Sequence, residues 1–504
     1  MNKQEPNATK TTRKATAGQS RRDSRDKKNP KETDFLSGIN FPTYEEILES
    51  YPPTDHDFGR LFADVFHARL RYVYNLKIWR YFNGVKWEDD TSGIFAERCA
   101  GILVEHLKKR AEEDVADYII QLSKRPKKRN MILEAQSIRP VLSTEFDSNI
   151  HLFNCLNCTI DLRDGSEHKH NPDDLITKVA NVTYDPKVVS ERWNRFVDEI
   201  MSGDAEMVDY LQKSLGYALS GDTSLDCFFI FFGKTTRNGK SACIGAVRNV
   251  LGDYGKGVSP ASLSKKNMSG DNPTPEFARL TGVRFANVSE PGKFMKLNAG
   301  FAKTLTGRDP IITRYLHKNP IEFIPQFTIY IVTNHLIDIN DDSIFASDRI
   351  KMVPFDKHFK EAEQDKSLRE TLENDENATG VLNWLLEGHK RYLAEGTIVP
   401  PQRAIDALTE YRRECDTTAL FLEDTCVKTG DVTQRLKTSV LYDHYITWFT
   451  ENCDIMSKPM SRPEFVSALK DKVRVERHRT DSYIIKGFVL KEKKVEASAE
   501  PTQK

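Results

Sequence analysis

The residues best suited to chemistry in this chain lie in the stretch FIFFGKTTRNGKSACIG, residues 229–245. A hydrophobic run there leads through a glycine-bounded polar turn into a Lys-Ser pair and a helical pattern. In such a turn backbone N–H groups face a phosphate, and the following helix adds the partial positive charge of its N-terminus. Lys240 would neutralise the β- and γ-phosphate oxygens, and the Ser241 hydroxyl would hold Mg²⁺. We therefore expect ATP and Mg²⁺ as cofactors, with nucleotide contacts from Gly233, Thr235, Thr236, Arg237, Asn238, Gly239, Lys240, Ser241 and Ala242.

The predicted phosphate loop departs from the usual G-x-x-x-x-G-K-[ST] spacing. Gly233 and Gly239 are separated by five residues, so the loop is one residue longer. We expect Asn238 to adopt the left-handed backbone conformation that a glycine often supplies in the shorter loop. A chance Gly-Lys-Ser in an ordinary turn is the alternative. The order of strand, loop and helix favours a nucleotide site.

An acidic residue must accompany the loop, to order Mg²⁺ and the attacking water. The segment GVRFANVSEPGK, residues 282–293, supplies Glu290 at the end of a strand-like run. A generic site of this kind ends in two acids, and Ser289 replaces the first. We therefore expect Glu290 to act as general base or to orient water, and to contact the metal together with Ser241. A surface glutamate at a strand end is the alternative.

Two further polar residues lie at the ends of predicted strands. Asn334 follows FTIYIVT, and an amide at that edge could orient the attacking water against the γ-phosphate. Arg349 precedes IKMVPF, at the opposite end of its strand. From there it would face away from its own nucleotide and reach that of a neighbouring subunit, as an arginine finger worth roughly a thousandfold in turnover. A structural salt bridge is the alternative for Arg349.

The elements that must position these residues follow an alternating pattern. Strand-like runs occur at 225–232, 283–289, 326–333 and 349–355, with helical segments between some of them. A helical lead-in at 196–222 precedes the first run. This alternation predicts an α/β domain over 196–396 with a mostly parallel sheet.

Composition limits the remaining possibilities. Lys+Arg and Asp+Glu both total 74, so overall charge does not indicate a nucleic-acid partner. Residues 1–33 hold ten basic and four acidic residues and almost no large apolar ones, which predicts a disordered basic arm over 1–38. The sequence shows no signal peptide and no run long enough to cross a bilayer, so we expect a cytoplasmic protein without a membrane partner. Eight cysteines in this context indicate reduced thiols rather than disulfides.

Residues 39–195 mix helical patterns with short strands and predict an α+β domain. Asn83-Gly84 marks a hairpin turn between aromatic runs. Cys155 and Cys158 could suggest zinc, but no second Cys-x-x-Cys follows, and half-buried strand cysteines are the better interpretation. The basic run KRPKKR, 124–129, is interpreted as a solvated loop, with a nucleic-acid contact as the alternative.

Beyond the proline-containing segment 397–403, the pattern predicts a carboxyl-terminal domain over 397–490 and a polar tail over 491–504. Helices followed by a two-stranded ribbon suggest a winged helix. SRPEFVSALKDK would be its recognition helix, and four basic residues crowd the first wing strand: Arg474, Arg477, His478 and Arg479. A winged helix that docks protein is an equally open interpretation.

The ordered set FFGKTTRNGKS, ARLTGVRFANVSEPGK, FTIYIVTNHL and DRIKMVPFDKHF resembles the superfamily 3 helicases, and more narrowly the helicase part of the phage/plasmid primase family, relatives of the poxvirus primase-helicase. The resemblance implies an AAA+-type P-loop motor that forms a ring, usually a hexamer, and pulls single-stranded DNA through its channel with 3′-to-5′ polarity. It makes Lys240 and Ser241 the Walker A pair, Glu290 the Walker B acid, Asn334 the sensor and Arg349 the trans finger.

The same resemblance places a DNA-gripping hairpin between Lys303 and Phe323. Its tip, RYLHKNP, presents Arg314, His317 and Lys318, which would grip phosphates without reading sequence. An ordinary basic turn is the alternative. Relatives often carry Arg-Arg before the last strand, whereas this chain has Asp348-Arg349. The chain also lacks a convincing pattern for a primase domain, so a separate primase is a possible partner.

These observations lead us to expect an ATP-dependent DNA helicase of phage, plasmid or mobile-element replication that acts on single-stranded DNA and replication forks as a homo-oligomer. An initiator or loader that uses ATP as an assembly switch, with little unwinding, is the main alternative. A P-loop ATPase in an antiviral or regulatory assembly is a third.

Overall fold

The computed structural model describes residues 39–109, 113–264, 275–292, 295, 297–314, 320–337, 339, 342–452, 459–479 and 482–491. The predicted basic arm, 1–38, lies outside those ranges. So does all of the predicted tail except residue 491.

The amino-terminal region combines helices with a small sheet. Its elements are α1 (Tyr44–Ser50), α2 (Asp55–Phe66), β1 (Leu70–Val73), β2 (Ile78–Phe82), β3 (Trp87–Asp90), α3 (Ile94–Lys108), α4 (Glu113–Leu122), α5 (Arg125–Ala135) and β4 (Pro140–Val141). The sheet has the order β3-β2-β1-β4. Gly59 lets α2 approach α5 closely, because a Cβ there would lie 2.4 Å from Glu134 Cβ. The Asn83-Gly84 turn connects two antiparallel strands as predicted, with Phe82 opposite Trp87.

The structure corrects the prediction that the basic run 124–129 is a loop. It does not form a loop: Arg125 begins α5, Pro126 occupies its first turn, and Lys127 bonds to Asp55 of α2 at 2.8 Å. Pro suits a first helical turn because the missing N–H would have no intrahelical partner there.

A second small sheet packs onto the region that contains the phosphate loop rather than onto the amino-terminal core. The elements of this region are β5 (Leu152–Asn154), β6 (Thr159–Asp161), β7 (Glu167–His168), α6 (Glu191–Met201) and α7 (Ala205–Tyr217), and the sheet has the order β5-β6-β7. Phe153, Ile160 and Val182 share a hydrophobic cluster with helices that precede and follow the phosphate loop. Cys155 and Cys158 lie in the turn between β5 and β6, where both are buried.

The central region is built on a five-stranded sheet. Its strands are β8 (Phe228–Phe232), β9 (Gly255–Val258), β10 (Phe285–Ser289), β13 (Thr328–Thr333) and β14 (Ile350–Pro354). They lie in the order β14-β8-β13-β10-β9, and all of the pairs are parallel. Both faces are buried: Phe229, Phe231 and Tyr330 face one hydrophobic cluster, whereas Ile230 and Ile331 face the other. Near-continuous hydrophobic strands of this kind are typical of parallel sheets covered on both sides.

The four strand-like runs of the sequence therefore form four neighbouring strands, as predicted. The fifth strand, β9, was missed because GKGV contains two glycines and lacks a hydrophobic run. Further elements of the central region are α8 (Lys240–Leu251), α9 (Pro275–Ala278), α10 (Ala299–Thr306), β11 (Ile311–Thr313), β12 (Ile321–Phe323), α11 (Asp342–Ala346), α12 (Leu368–Glu373), α13 (Asp375–Glu395) and α14 (Gln402–Cys415).

The helix α14 lies within the predicted carboxyl-terminal domain but packs on the central region. Its Tyr411 is buried in one of the two clusters that cover the five-stranded sheet and meets the Phe232 ring edge-on, with 5.3 Å between ring centroids. The predicted boundary at residue 397 therefore separates α14 from the region on which it packs.

The carboxyl-terminal region has its own hydrophobic cluster, centred on Phe421, Tyr445 and Phe465. The elements are α15 (Thr417–Thr425), β15 (Cys426–Lys428), β16 (Arg435–Lys437), α16 (Thr438–Asn452), α17 (Arg462–Lys470), β17 (Val475–Arg479), β18 (Ser482–Lys486) and β19 (Phe488–Leu490). Its strands form a three-stranded antiparallel sheet, β16-β18-β17, and a separate pair, β15-β19. Among the residues that the structure describes, no helix has both the length and the apolar character that spanning a bilayer requires.

Candidate functional site

The phosphate loop connects β8 to α8, as the motif requires. Gly239, with φ of 84°, precedes the helix, and among the described residues no side chain caps the N-terminal amides of α8. Those amides, together with the helix dipole, form a ready site for an anion. Ser241 is exposed at the start of the helix, where its hydroxyl is available to a metal ion.

The non-glycine residue of the loop with a left-handed backbone is Arg237, with φ of 56°, and not Asn238 as predicted. Asn238 is instead buried, and its amide donates to the Thr235 carbonyl at 2.7 Å. Its side chain thus braces the longer loop from inside. The left-handed backbone of the exposed Arg237 accommodates the extra residue, so the Asn238 side-chain amide can hold the turn.

Lys240 is 4% exposed, and its side chain extends toward the end of β13, the neighbour of β8 in the sheet. Its ammonium donates to Asn334 Oδ1 at 2.6 Å and to the Gly233 carbonyl at 3.4 Å. Burial lowers the pKa of Lys240 to about 8, because the charged form loses hydration that these two neutral acceptors only partly replace. An anionic phosphate in the same place would restore the charged form.

Glu290 and Asn334 lie at the same sheet edge as the phosphate loop. In the parallel register Ser289 is opposite Val332, and Thr333 is opposite Phe232, so all three strands end together. Glu290 itself is exposed, with φ of 51°, and its N–H donates to the Val332 carbonyl at 2.9 Å. The carboxyl edge therefore carries an ammonium, a carboxylate and an amide around one loop.

Asn287 was not predicted to belong to this edge. It is buried on β10, and its Nδ2 donates to Ser289 Oγ at 2.9 Å. The Ser289 hydroxyl, which stands where a second acid is usual, is thereby oriented by a neighbour on its own strand. Its position two residues before Ser289 on a strand was the available sequence signal, because alternate residues share a face.

Arg349 lies at the other end of β14, about 16 Å of strand away from the loop edge by the usual rise per residue. Its Nη1 donates to the Asp226 carbonyl at 3.1 Å and to Thr306 Oγ1 at 2.9 Å. Arg349 therefore lies far from its own phosphate loop, and its role toward a neighbouring subunit stays a prediction. Its described contacts are hydrogen bonds to neutral oxygens and not the alternative salt bridge.

Within the segment predicted to hold the DNA-gripping hairpin, β11 and β12 pair antiparallel, with Ile311 opposite Phe323. Arg314 follows β11 directly and is exposed. His317 and Lys318 lie outside the described residues, so the chemistry assigned to the tip stays a prediction.

The loop also has partners that no sequence pattern indicated. Lys234 Nζ lies 2.8 Å from both Glu410 and Glu414 of α14, and these carboxylates raise the pKa of Lys234. On its other side the loop borders a cleft of about 230 Å³, formed by α6 and the segment 359–368. Both features join residues that lie far apart in the sequence, which is why only the fold reveals them.

Part of the chain matches a known protein family, and most of it is similar to viral proteins. Residues 59–202 match the family described as D5 N terminal like. A protein of Acanthamoeba polyphaga mimivirus named as a candidate helicase, L207/L206, is 28% identical over 456 residues, which cover 81% of this chain and 47% of that protein. Candidate helicase 121R of Invertebrate iridescent virus 3 is 23% identical over 330 residues, 59% of this chain and 35% of that protein. The chain thus spans about half or less of the length of these relatives.

Among solved structures, the apo carboxyl-terminal region of NrS-1 aligns over 83% of this chain and 96% of its own, with 11% identity and a TM-score of 0.44. The family match and the helicase-named viral relatives agree with the resemblance predicted from the motifs: part of the chain is similar to the D5 N terminal like family, and most of it is similar to viral proteins named as helicases.

Proposed function

We propose that this protein is an ATP-dependent DNA helicase of mobile-element replication. It forms a ring, binds Mg²⁺-ATP at the β8-α8 loop and moves along single-stranded DNA in the 3′-to-5′ direction. The observation that carries the proposal is the bond of 2.6 Å between Lys240 and Asn334, which joins the phosphate-binding lysine to the residue expected to sense the γ-phosphate. The helicase names of its viral relatives support the same activity.

Each chemical role follows from position at the sheet edge. Bound phosphate would take the Lys240 ammonium from Asn334, which frees the amide to orient the attacking water. Ser241 would hold Mg²⁺, and Glu290 would accept the proton of the water. Gly233, Gly239, Ala242 and the side chains of Thr235, Thr236 and Arg237 would surround the phosphates, while the buried Asn238 amide would hold the loop around them.

Ring assembly is proposed because Arg349 is remote from its own loop. In a ring, the amino edge of one sheet would face the carboxyl edge of the next, and Arg349 would stabilise charge at the neighbour's γ-phosphate. Thr306, which accepts the Arg349 hydrogen bond, ends α10, and the proposed DNA hairpin begins five residues later. Movement of Arg349 would therefore shift the hairpin of the same subunit.

We also propose that residues 417–490 form a winged helix. Apart from the separate pair β15-β19, their order is helix, strand, two helices and two strands, with β18 between β16 and β17, and this order supports the proposal. Arg474, Arg477 and His478 are exposed on or next to β17, where they could contact DNA phosphates.

The test is ATP hydrolysis by the purified protein with and without single-stranded DNA. Wild type should be strongly stimulated by DNA, Lys240→Ala should hydrolyse nothing, and Lys318→Ala should keep basal hydrolysis but lose stimulation. Lys390→Ala, which removes an exposed lysine from α13, is the charge-matched control and should behave like wild type.

Two outcomes would contradict the proposal. Turnover by Lys240→Ala would refute the phosphate loop. Hydrolysis that ignores DNA, in wild type and Lys318→Ala alike, would favour the ATP-switched initiator. For the trans finger, Arg349→Ala should bind nucleotide without hydrolysing it, and mixing it with Glu290→Gln subunits should restore some activity; no restoration would argue against a finger supplied by the neighbour.

A further inference from the structure

The cleft beside the phosphate loop has no role in the chemistry described so far. One wall is α6, which contributes Arg192 and Phe196, and the other is the segment that follows β14, which contributes Phe359, Gln364 and other residues. Its volume of about 230 Å³ is just below the roughly 300–1,000 Å³ usual for small-molecule sites. A flat, mostly apolar ligand would fit better than a whole drug-sized molecule.

Both walls are attached directly to the loop. A Cβ on Gly239 would lie 3.3 Å from Phe196 Cε2, so the ring packs on the last glycine of the loop. On the other side the Phe359 N–H donates to the Arg237 carbonyl at 2.9 Å. A molecule whose phosphates occupy the loop would therefore extend its remaining part between two phenylalanines.

The polar edge of the cleft is also defined. Gln364 Nε2 donates to the Phe359 carbonyl at 2.9 Å, which fixes the orientation of the amide. Oε1 is thereby left as the acceptor of this half-buried side chain. An acceptor matches the exocyclic amine of adenine and opposes the carbonyl that guanine carries at the same ring position.

Arg192 supplies a donor on the opposite wall. Its Nη2 bonds to Asp365 at 3.3 Å, and this contact ties the two walls together. Its Nη1 is buried and, within the described part of the chain, makes no hydrogen bond, although it lies 3.7 Å from Glu199. A ring nitrogen or ribose hydroxyl of a bound nucleoside would satisfy that donor.

We propose that this cleft is the base-binding site of the nucleotide, that Phe196 and Phe359 enclose the base, and that Gln364 selects adenine over guanine. The proposal rests on the nucleotide site of the proposed function and adds its base specificity. With adenine, Gln364 Oε1 would accept one hydrogen bond from the exocyclic amine, whereas with guanine it would face a carbonyl oxygen, which is also an acceptor. ATP should therefore bind about tenfold more tightly than GTP.

The experiment is competition against a fluorescent ATP analogue on the full chain with Mg²⁺, using ATP, GTP and inorganic tripolyphosphate as competitors. Gln364→Leu should reduce the ATP preference to less than about threefold. Gln402→Leu is the matched control, because it removes an exposed glutamine on α14 that does not line the cleft. Phe359→Ala should weaken ATP binding tenfold or more while tripolyphosphate competes as in wild type; thermal unfolding of each variant confirms that it is folded.

The outcomes separate the two proposals. Lys240→Ala should lose ATP and tripolyphosphate together, and normal binding by that variant would overturn the phosphate site and with it the cleft assignment. If Lys240→Ala fails to bind but Gln364→Leu and Phe359→Ala leave ATP affinity and the ATP-to-GTP ratio unchanged, the cleft assignment is wrong and the phosphate site stands. Equal affinity of wild type for ATP and GTP would overturn the role of Gln364.

Discussion

Nucleotide affinity should depend on pH through Lys240, because burial lowers the pKa of its ammonium to about 8 in the nucleotide-free protein. A bound phosphate favours the charged form, so the pKa must rise on binding, and binding above pH 8 requires uptake of a proton. With a free-state pKa of about 8, roughly three quarters of the lysine is charged at pH 7.5 and about 3% at pH 9.5. The apparent Kd should therefore rise about 25-fold across that interval.

The assay is fluorescence titration with a labelled ADP from pH 7.5 to 9.5, a range in which the nucleotide phosphates stay fully ionised. Lys240→Arg is the control, because a guanidinium keeps its charge throughout and should give a nearly flat profile. A flat wild-type profile would show that Lys240 is fully charged before binding. An equal slope in Lys240→Arg would place the titrating group elsewhere, and either result would refute the reasoning.

Three further predictions concern folding. Burial lowers the pKa of His389 to about 4, so between pH 6.5 and 4 the unfolded chain binds a proton at this residue that the folded chain does not bind. The free energy of unfolding should therefore fall by about 3 kcal/mol as pH drops from 6.5 to 4. His389→Leu should remove this pH dependence from the free energy measured by urea unfolding. Gly388→Ala should lower the free energy of unfolding by about 1–3 kcal/mol, because its Cβ would lie 2.2 Å from the Gln212 carbonyl oxygen. Gly245→Ala is the control: its Cβ would meet no described atom within 4 Å, so thermal unfolding should show a neutral or stabilising effect. Arg284→Ala should destabilise by about 2–4 kcal/mol, since the buried guanidinium donates to two backbone carbonyls; a midpoint unchanged in urea would contradict this account.

The parallel sheet and its edge could be predicted from the sequence because most of its strands are short apolar runs that end next to a polar residue. Phe285–Ser289 ends next to Glu290 and Thr328–Thr333 ends next to Asn334, whereas Phe228–Phe232 leads through Gly233 into the phosphate loop. Parallel strands align their carboxyl ends, so the order of the motifs along the chain was enough to assign Lys240, Glu290 and Asn334 to one edge. The strand at Gly255–Val258 breaks the rule, since its glycines carry no apolar pattern and pairing with β10 stabilises it.

Local conformation within loops was less predictable. Asparagine tolerates the left-handed region better than arginine, so Asn238 was the reasonable choice for the extra loop residue. The fold reverses the two roles because the Asn238 amide reaches the Thr235 and Phe355 carbonyls, and Phe355 directly follows β14. An acceptor so distant in sequence leaves no local signature.

The sequence by itself determined the strand-to-helix turn and was enough to predict phosphate- and metal-binding residues there, since that chemistry depends on residue types at short, fixed spacing around one such turn. Tertiary structure alone decided what surrounds that turn. The Lys240–Asn334 contact spans 94 positions, the Lys234–Glu410 contact spans 176, and the cleft pairs Phe196 with Phe359. Such contacts depend on how helices and loops cover the sheet, and the free energy that sets them is packing summed over two hydrophobic clusters, which no short stretch of the chain encodes.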